Sequence, residues 1–137
     1  MTKDFGRLNR YEVAQTGEKI AIIGLGTFFE LAKEAAKLLK EEAGINATVI
    51  NPYYITGLDE ALLTKLKQNH DTVITLEDGI LDGGFGEKIA RFYGASNMKV
   101  MNYGLKKEFL DRYDVDAVLK ENHLTAEQIV EDVLSIL

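Results

Sequence analysis

The sequence predicts a three-layer α/β/α domain built on a mixed sheet of about five strands. Short apolar runs alternate along the chain with segments whose apolar residues recur at helical spacing, which is typical of strand–helix–strand units with parallel strands. A glycine-containing turn near the N-terminus joins two further strand-like runs and adds one antiparallel strand. With 137 residues, 46% of them hydrophobic, the chain has the length and apolar content of one domain.

The first two strands are predicted at residues 10–15 and 19–24, on either side of Thr16-Gly17-Glu18. We interpret this arrangement as a β-hairpin, because a short turn containing glycine commonly joins antiparallel neighbours. The second run is apolar at every position from Ile20 to Ile23, which indicates a central strand covered on both faces.

The first helix is predicted to begin at Thr27, which forms a capping box with Glu30, and to end at Gly44. Its charged residues are interpreted as a solvated face. Next come a strand at residues 46–51, ended by Pro52, a helix starting at residues 56–59, and a core strand at residues 72–76.

A glycine-rich loop leads into a helix that carries Phe85, Ile89, Phe92 and Tyr93 on one face and ends at Gly94. The remaining predicted elements are a strand at residues 99–103, helical turns near 107–112 and 115–120, and a final helix. Its start is indicated by a capping box of Thr125 with Gln128 and a hydrophobic staple of Leu124 with Ile129.

Composition excludes several classes of function. The absence of cysteine excludes disulfides, thiolate catalysis and cysteine-ligated metals, and suits the cytosol. A net charge of -6 without a dense basic cluster argues against nucleic-acid binding. Because no apolar run approaches the length of a membrane span, we expect no membrane partner and a cytoplasmic protein. Residues 1–8 are interpreted as a linker or tail and residues 9–137 as the domain.

Gly24-Leu25-Gly26 lies at a strand-to-helix turn, where backbone amides are able to approach an anion. The dinucleotide-binding fingerprint is incomplete, because its third glycine would fall at Phe29, and no P-loop lysine follows. A tight structural turn is therefore the favoured interpretation.

The most unusual segment runs from Glu77 to Gly86 and contains three carboxylates and four glycines in ten residues. It follows a core strand, where open α/β sheets place their ligand sites. Phosphate would be repelled there, and EF-hand spacing is absent. The favoured interpretation is structural, with acids that cap a helix or stay solvated; a surface for another domain or subunit comes next. The candidate interface or ligand residues are Gly24, Gly26, Glu77, Asp78, Gly79, Asp82, Gly83, Gly84, Phe85 and Gly86.

No catalytic, cofactor-binding or metal-ligating residue is assigned. His70 and His123 lie among polar neighbours and are expected in exposed loops. Ser96 and Ser135 lack the context of a nucleophile elbow.

Five ordered segments carry a resemblance to a known family: residues 18–26, 47–52, 58–59, 75–79 and 83–86. With suitable gaps, they resemble the transketolase C-terminal domain family, over residues 9–137, and are most similar to 1-deoxy-D-xylulose-5-phosphate synthases. Gly57 and Tyr53 depart from the family pattern, which often has proline and arginine there.

The resemblance implies a five-stranded mixed sheet whose first strand is antiparallel to the rest. It also implies that full-length relatives form 1-deoxy-D-xylulose 5-phosphate and carbon dioxide from pyruvate and glyceraldehyde 3-phosphate, for isoprenoid and thiamine synthesis. Their thiamine diphosphate and magnesium are held by two preceding domains. By this resemblance the present domain binds no cofactor alone, supports assembly with those domains and a second subunit in a homodimer, and is not catalytic by itself.

Alternatives remain open at this point. They are the corresponding domain of a transketolase or of a 2-oxo-acid dehydrogenase beta subunit, a stand-alone small-ligand-binding module, and a flavodoxin-like signalling domain. The last alternative predicts an all-parallel sheet. We further expect weak self-association through apolar patches.

Overall fold

The computed structural model describes residues 11–25, 28–52, 59–80, 85–94, 96–105 and 125–136. These residues form five strands and four helices, which in chain order are β1 (Glu12–Gln15), β2 (Lys19–Gly24), α1 (Phe29–Ala43), β3 (Thr48–Asn51), α2 (Glu60–Leu66), β4 (His70–Ile80), α3 (Phe85–Phe92), β5 (Lys99–Leu105) and α4 (Ala126–Ile136).

The strands form one mixed sheet in the order β1-β3-β2-β4-β5. β1 is antiparallel to β3, and the other neighbours are parallel. The predicted fold class, a five-stranded sheet with its first strand antiparallel to the rest, is confirmed. The antiparallel strand also excludes the flavodoxin-like alternative.

The predicted hairpin between the first two strands is wrong, because β3 lies between β1 and β2. The connection at residues 16–18 instead crosses the start of β3, a distance of about two strand spacings. There the Glu18 amide donates to the Asn46 carbonyl at 2.8 Å. A Cβ on Gly17 would lie 2.1 Å from that carbonyl oxygen, so glycine is needed for the close approach. The connection ends at Lys19, whose φ of 72° is unusual for a residue with a side chain.

Two apolar cores cover the two faces of the sheet. On one face, α1 and α4 pack against Ile20, Ile22 and Ile74. On the other, residues of α2 and α3 pack with Ile23, Ile50 and Val73. β2 contributes residues to both cores, which explains its continuous apolar run and confirms the prediction of a strand covered on both faces.

Helix ends agree in part with the predicted signals. Gly44 ends α1 with a left-handed φ of 69°, as predicted. Phe28 occupies the N-cap position of α1 without a side-chain cap, whereas the predicted cap, Thr27, lies outside the described residues. At α4 the predicted cap, Thr125, is confirmed, since the Gln128 amide donates to Thr125 Oγ1 at 3.2 Å; the second bond between the two residues joins their side chains, Thr125 Oγ1 donating to Gln128 Oε1 at 2.9 Å. Leu124 of the predicted staple lies outside the described residues.

β4 is longer than predicted, because it continues past Leu76 to Ile80. Its pairing with β5 shifts register after Leu76 and resumes at Ile80, opposite Leu105. Part of the predicted glycine-rich loop is therefore strand. The predicted linker and the helical turns near 107–120 lie outside the described residues, and among those described no helix is long and apolar enough to cross a bilayer.

Candidate functional site

The sheet has a topological switch point between β2 and β4. The connection from β2 runs through α1 to β3 on one side, and the connection from β4 runs through α3 to β5 on the other. Open α/β sheets bind ligands in the crevice that this reversal creates at the carboxyl ends of the strands. Gly24 and Leu25 lie at the carboxyl end of β2, and Glu77 lies near the carboxyl end of β4, so described residues of the two segments singled out in the sequence, 24–26 and 77–86, flank this point.

The first segment is held tightly. Gly24 pairs with Leu76 across the sheet, and the Leu25 amide donates to the Leu76 carbonyl at 2.8 Å. A Cβ on Gly24 would lie 2.7 Å from the Phe28 carbonyl oxygen and 2.9 Å from Ala32 Cβ. Gly24 therefore lets α1 start close against β2, which agrees with the favoured interpretation of a tight structural turn. Gly26 lies outside the described residues.

The second segment is anchored by Glu77, whose side chain is only 3% exposed. Its Oε2 accepts a hydrogen bond from the Gly86 amide at 2.6 Å. Gly86 lies in the first turn of α3, where backbone amides lack partners within the helix and the helix dipole favours negative charge. Glu77 thus caps α3 from the preceding strand, the structural role favoured for these acids.

Gly86 also sets how closely α3 approaches the sheet. A Cβ at this position would lie 2.5 Å from Thr75 Oγ1 and 2.8 Å from Asn102 Oδ1. These two side chains are themselves joined, because the Thr75 hydroxyl donates to Asn102 Oδ1 at 2.7 Å. No local pattern singled out Thr75 or Asn102, since their pairing depends on the register between β4 and β5.

Of the remaining predicted site residues, the structure describes only those that belong to β4 and α3. Asp78 and Gly79 belong to β4, and Phe85 is the first residue of α3. Asp82, Gly83 and Gly84 lie outside the described residues. Within the part of the chain that the structure describes, no three histidine, aspartate or glutamate side chains are grouped to hold a metal ion.

His70 is buried, which corrects the prediction that it lies in an exposed loop. It begins β4 and is 9% exposed. Nε2 lies 2.7 Å from Thr48 Oγ1, and Nδ1 lies 3.2 Å from the Leu66 carbonyl oxygen. The polar neighbours of His70 in sequence suggested exposure, but its partners come from β3 and the end of α2. His123 lies outside the described residues.

Burial also lowers the pKa of His70, because a charged imidazolium is poorly solvated there. The Leu66 carbonyl and the carboxylates of Asp71 and Glu18 act in the opposite direction, with smaller effect. His70 is thus a satisfied, neutral core histidine at the amino edge of the sheet, the edge opposite the switch point.

Comparison with known proteins matches residues 9–129 to the family model of the transketolase C-terminal domain. The 1-deoxy-D-xylulose-5-phosphate synthase of Symbiobacterium thermophilum is 37% identical over 126 residues, covering 90% of this chain and 19% of that synthase. The synthase of Lysinibacillus sphaericus is 32% identical, covering 90% and 20% respectively. The chain therefore spans about a fifth of the length of these curated relatives.

Solved structures share the fold. A split-gene transketolase, described as an inactive beta4 tetramer, aligns with a TM-score of 0.81 and 29% identity over 92% of this chain and 41% of that one. The transketolase of Campylobacter jejuni aligns with a TM-score of 0.66 and 16% identity, over 94% of this chain and 19% of that one. By sequence and by fold, the chain belongs to the transketolase C-terminal domain family.

Proposed function

We propose that this chain is the assembly domain of a thiamine-diphosphate-dependent enzyme that makes 1-deoxy-D-xylulose 5-phosphate from pyruvate and glyceraldehyde 3-phosphate. In this proposal it packs against preceding domains that hold thiamine diphosphate and magnesium, and against a second subunit of a homodimer. It supplies no catalytic group of its own.

The observation that carries the proposal is the match to two synthases at 37% and 32% identity over nine-tenths of the chain. Because the chain spans about a fifth of each synthase, the proposal assigns the chemistry to the remaining parts of such an enzyme. Catalysis on thiamine diphosphate needs groups arranged around the reactive carbon of the cofactor.

The geometry at the switch point supports a structural role. The carboxylate of Glu77 is buried and bonded to the Gly86 amide, and the Leu25 amide is bonded to the Leu76 carbonyl. Groups that would otherwise meet a ligand at this edge therefore hold β2, β4 and α3 together. Contacts of this kind hold the described residues of this edge in place, which suits them to contact with another domain.

A domain exchange tests the proposal. Residues 9–137 would replace the matching segment of the Symbiobacterium thermophilum synthase, and formation of 1-deoxy-D-xylulose 5-phosphate from the two substrates would be measured. We expect the chimera to be dimeric and active, because the segment restores the contacts that the catalytic domains require. The same synthase without the segment is the negative control.

A second chimera carries the matching segment of the Campylobacter jejuni transketolase. It tests whether the fold alone restores activity or whether the surface that contacts the catalytic domains must match as well. We expect it to be less active than the first chimera. A folded, soluble first chimera that is no more active than the truncated synthase would contradict the proposal. Tight binding of thiamine diphosphate by the isolated chain would also contradict it.

The corresponding domain of a transketolase, or of a 2-oxo-acid dehydrogenase beta subunit, is the nearest alternative. If this alternative is correct, the chain should restore more activity in a transketolase or a 2-oxo-acid dehydrogenase than in the synthase. The coding sequence directly upstream of Met1 also distinguishes these enzyme classes, and reading it requires no protein to be purified.

A stand-alone small-ligand-binding module is a candidate from another class, favoured by one observation: Leu25, directly after β2, is hydrogen-bonded to Leu76 of the neighbouring strand β4 at the switch point. A thermal-shift screen with nucleotides, sugar phosphates and magnesium tests it. A ligand-dependent rise in melting temperature supports a module, whereas no rise at millimolar ligand counts against it.

A further inference from the structure

A chain of hydrogen bonds at the amino edge of the sheet joins four elements through His70. The Gly17 amide, in the connection between β1 and β2, donates to Thr48 Oγ1 at 2.9 Å. Thr48 in β3 contacts His70 Nε2, and His70 Nδ1 contacts the Leu66 carbonyl at the end of α2. These groups lie beside a cavity of about 150 Å³ that Val13, Leu62 and Lys65 also line.

The chemistry of these partners fixes the protonation of the ring. A carbonyl oxygen only accepts hydrogen bonds, so Nδ1 carries the hydrogen that reaches Leu66. In a neutral ring Nε2 is then bare and accepts the hydroxyl hydrogen of Thr48. The Thr48 oxygen remains available to accept from the Gly17 amide. Only this neutral tautomer therefore satisfies all four hydrogen-bonded groups.

We propose that the chain Gly17–Thr48–His70–Leu66 is a pH-sensitive latch that holds the crossing connection between β1 and β2 against the sheet. Protonation of Nε2 turns this acceptor into a donor, and the Thr48 hydroxyl hydrogen then loses its partner inside the protein. The Thr48 oxygen would face two donors, and a positive charge would lie in a poorly solvated site. Acid therefore favours an opened connection.

Charged groups face His70 from the crossing connection with the start of β2, from α2 and its end, and from β4. Glu18 and Lys19 belong to the crossing connection and the start of β2, and Lys65 to α2. Lys67 follows α2, and Asp71 follows His70 in β4. Ser96, Asn97 and Met98, on the remaining side, carry no charge. Two carboxylates thus oppose three ammonium groups, and this balance does not offset the cost of burying an imidazolium.

The direction of the pH effect follows from linkage. Burial lowers the pKa of His70 in the latched state below the value of about 6.5 for a solvated histidine. The latched state consequently binds fewer protons, and its stability is complete above pH ~6.5 and is lost as pH falls toward the lower pKa. Over that window, opening increases by up to about tenfold for each pH unit.

The test uses nuclear magnetic resonance on the complete 137-residue chain. Long-range proton–nitrogen spectra identify the tautomer of each histidine, and His123→Gln assigns the two signals. We expect the Nδ1–H form of His70 at neutral pH and titration below about pH 6.5. The Gly17 amide should lose protection from hydrogen exchange over the same window, after correction for the intrinsic rate. The Gly44 amide, bonded to Lys40 in α1, should not.

Thr48→Val removes the hydroxyl while keeping the shape of the side chain, and Thr48→Ser keeps the hydroxyl. The valine variant should show fast Gly17 exchange without pH dependence in this window, whereas the serine variant should behave like the unchanged chain. An Nε2–H tautomer at neutral pH, or titration of His70 at or above about pH 6.5, overturns the proposal even if the valine variant does not fold. Unchanged pH dependence at Gly17 in a folded valine variant overturns it equally.

Discussion

The Glu77 carboxylate accepts a hydrogen bond of 2.6 Å from the Gly86 amide and so ties β4 to the first turn of α3. This single contact joins the two ends of the acidic, glycine-rich segment. It explains why an acidic side chain is buried directly after the apolar run of β4, since the unpaired amides of a helix start are an anion-binding group.

Glu77→Ala should lower the free energy of unfolding by about 2 kcal/mol, because the Gly86 amide loses its hydrogen-bond partner in a buried place. Glu77→Gln should lose less, since its side-chain carbonyl still accepts. Urea denaturation measures both. Glu41→Gln, on the exposed face of α1, is the control and should change little. Equal stability of the alanine variant and the unchanged chain would show that this contact does not hold α3.

Gly17→Ala should destabilise the domain by about 3 kcal/mol, because its Cβ would lie 2.1 Å from the Asn46 carbonyl oxygen, which belongs to the backbone. Gly86→Ala should destabilise it less, since Thr75 and Asn102 are side chains that have some freedom to move. Gly94→Ala is the matched control, where the nearest atom is 3.3 Å away. Thermal unfolding ranks the three. A Gly17 variant as stable as the Gly94 variant would mean that the connection does not cross β3 closely.

The fold was predictable where the sequence pattern is local. The uninterrupted apolar run from Ile20 to Ile23 predicted a central strand, and Gly44 predicted the end of α1. The hairpin was wrong because a turn of three residues looks the same in sequence whether it joins adjacent strands or crosses one between them. Asn46, the residue that Gly17 must approach, is 29 positions away and gives no local signal.

The candidate site could be predicted only in part. Of the segment 77–86, Glu77 and Gly86 lie together at the carboxyl edge of the sheet, while the continuation of β4 to Ile80 was hidden by polar residues that interrupt its apolar run. The burial of His70 depends on Thr48, which lies 22 positions earlier on β3. Only the register of three strands brings the two residues together.

Tyr11, Tyr93 and Tyr103 should remain protonated near pH ~10, where solvated tyrosines ionise. Burial raises the pKa of Tyr11 to about 12 and raises the pKa values of Tyr93 and Tyr103 as well. The Tyr103 hydroxyl also donates to the Asp132 carboxylate at 2.7 Å, which disfavours the tyrosinate. Stability is therefore complete below about pH 10 and is lost as pH rises toward these higher pKa values.

Ultraviolet absorbance of tyrosinate measures this alkaline titration. Tyr103→Phe should reduce the number of late-ionising tyrosines by one, and Asp132→Asn should make Tyr103 ionise at lower pH. Simultaneous ionisation of all six tyrosines in the folded protein would contradict the assigned burial.

Asp59 serves two elements at once, and its substitution should separate their contributions. Oδ1 accepts from the Leu62 amide and caps α2, while Oδ2 accepts from the Tyr11 amide just before β1. Asp59→Ala should lower the free energy of unfolding by about 2 kcal/mol, since both amides lose their partner. Asp59→Asn keeps one accepting oxygen, so it should lose about half as much.

Hydrogen exchange identifies which contact the asparagine variant keeps. If the amide oxygen caps α2, protection of Leu62 should persist while that of Tyr11 falls. If the Leu62 amide instead loses protection while the Tyr11 amide keeps it, the main role of Asp59 is to anchor β1. Because β3 is the single neighbour of β1 among the described strands, the anchoring role predicts that β1 opens before α2 in the alanine variant.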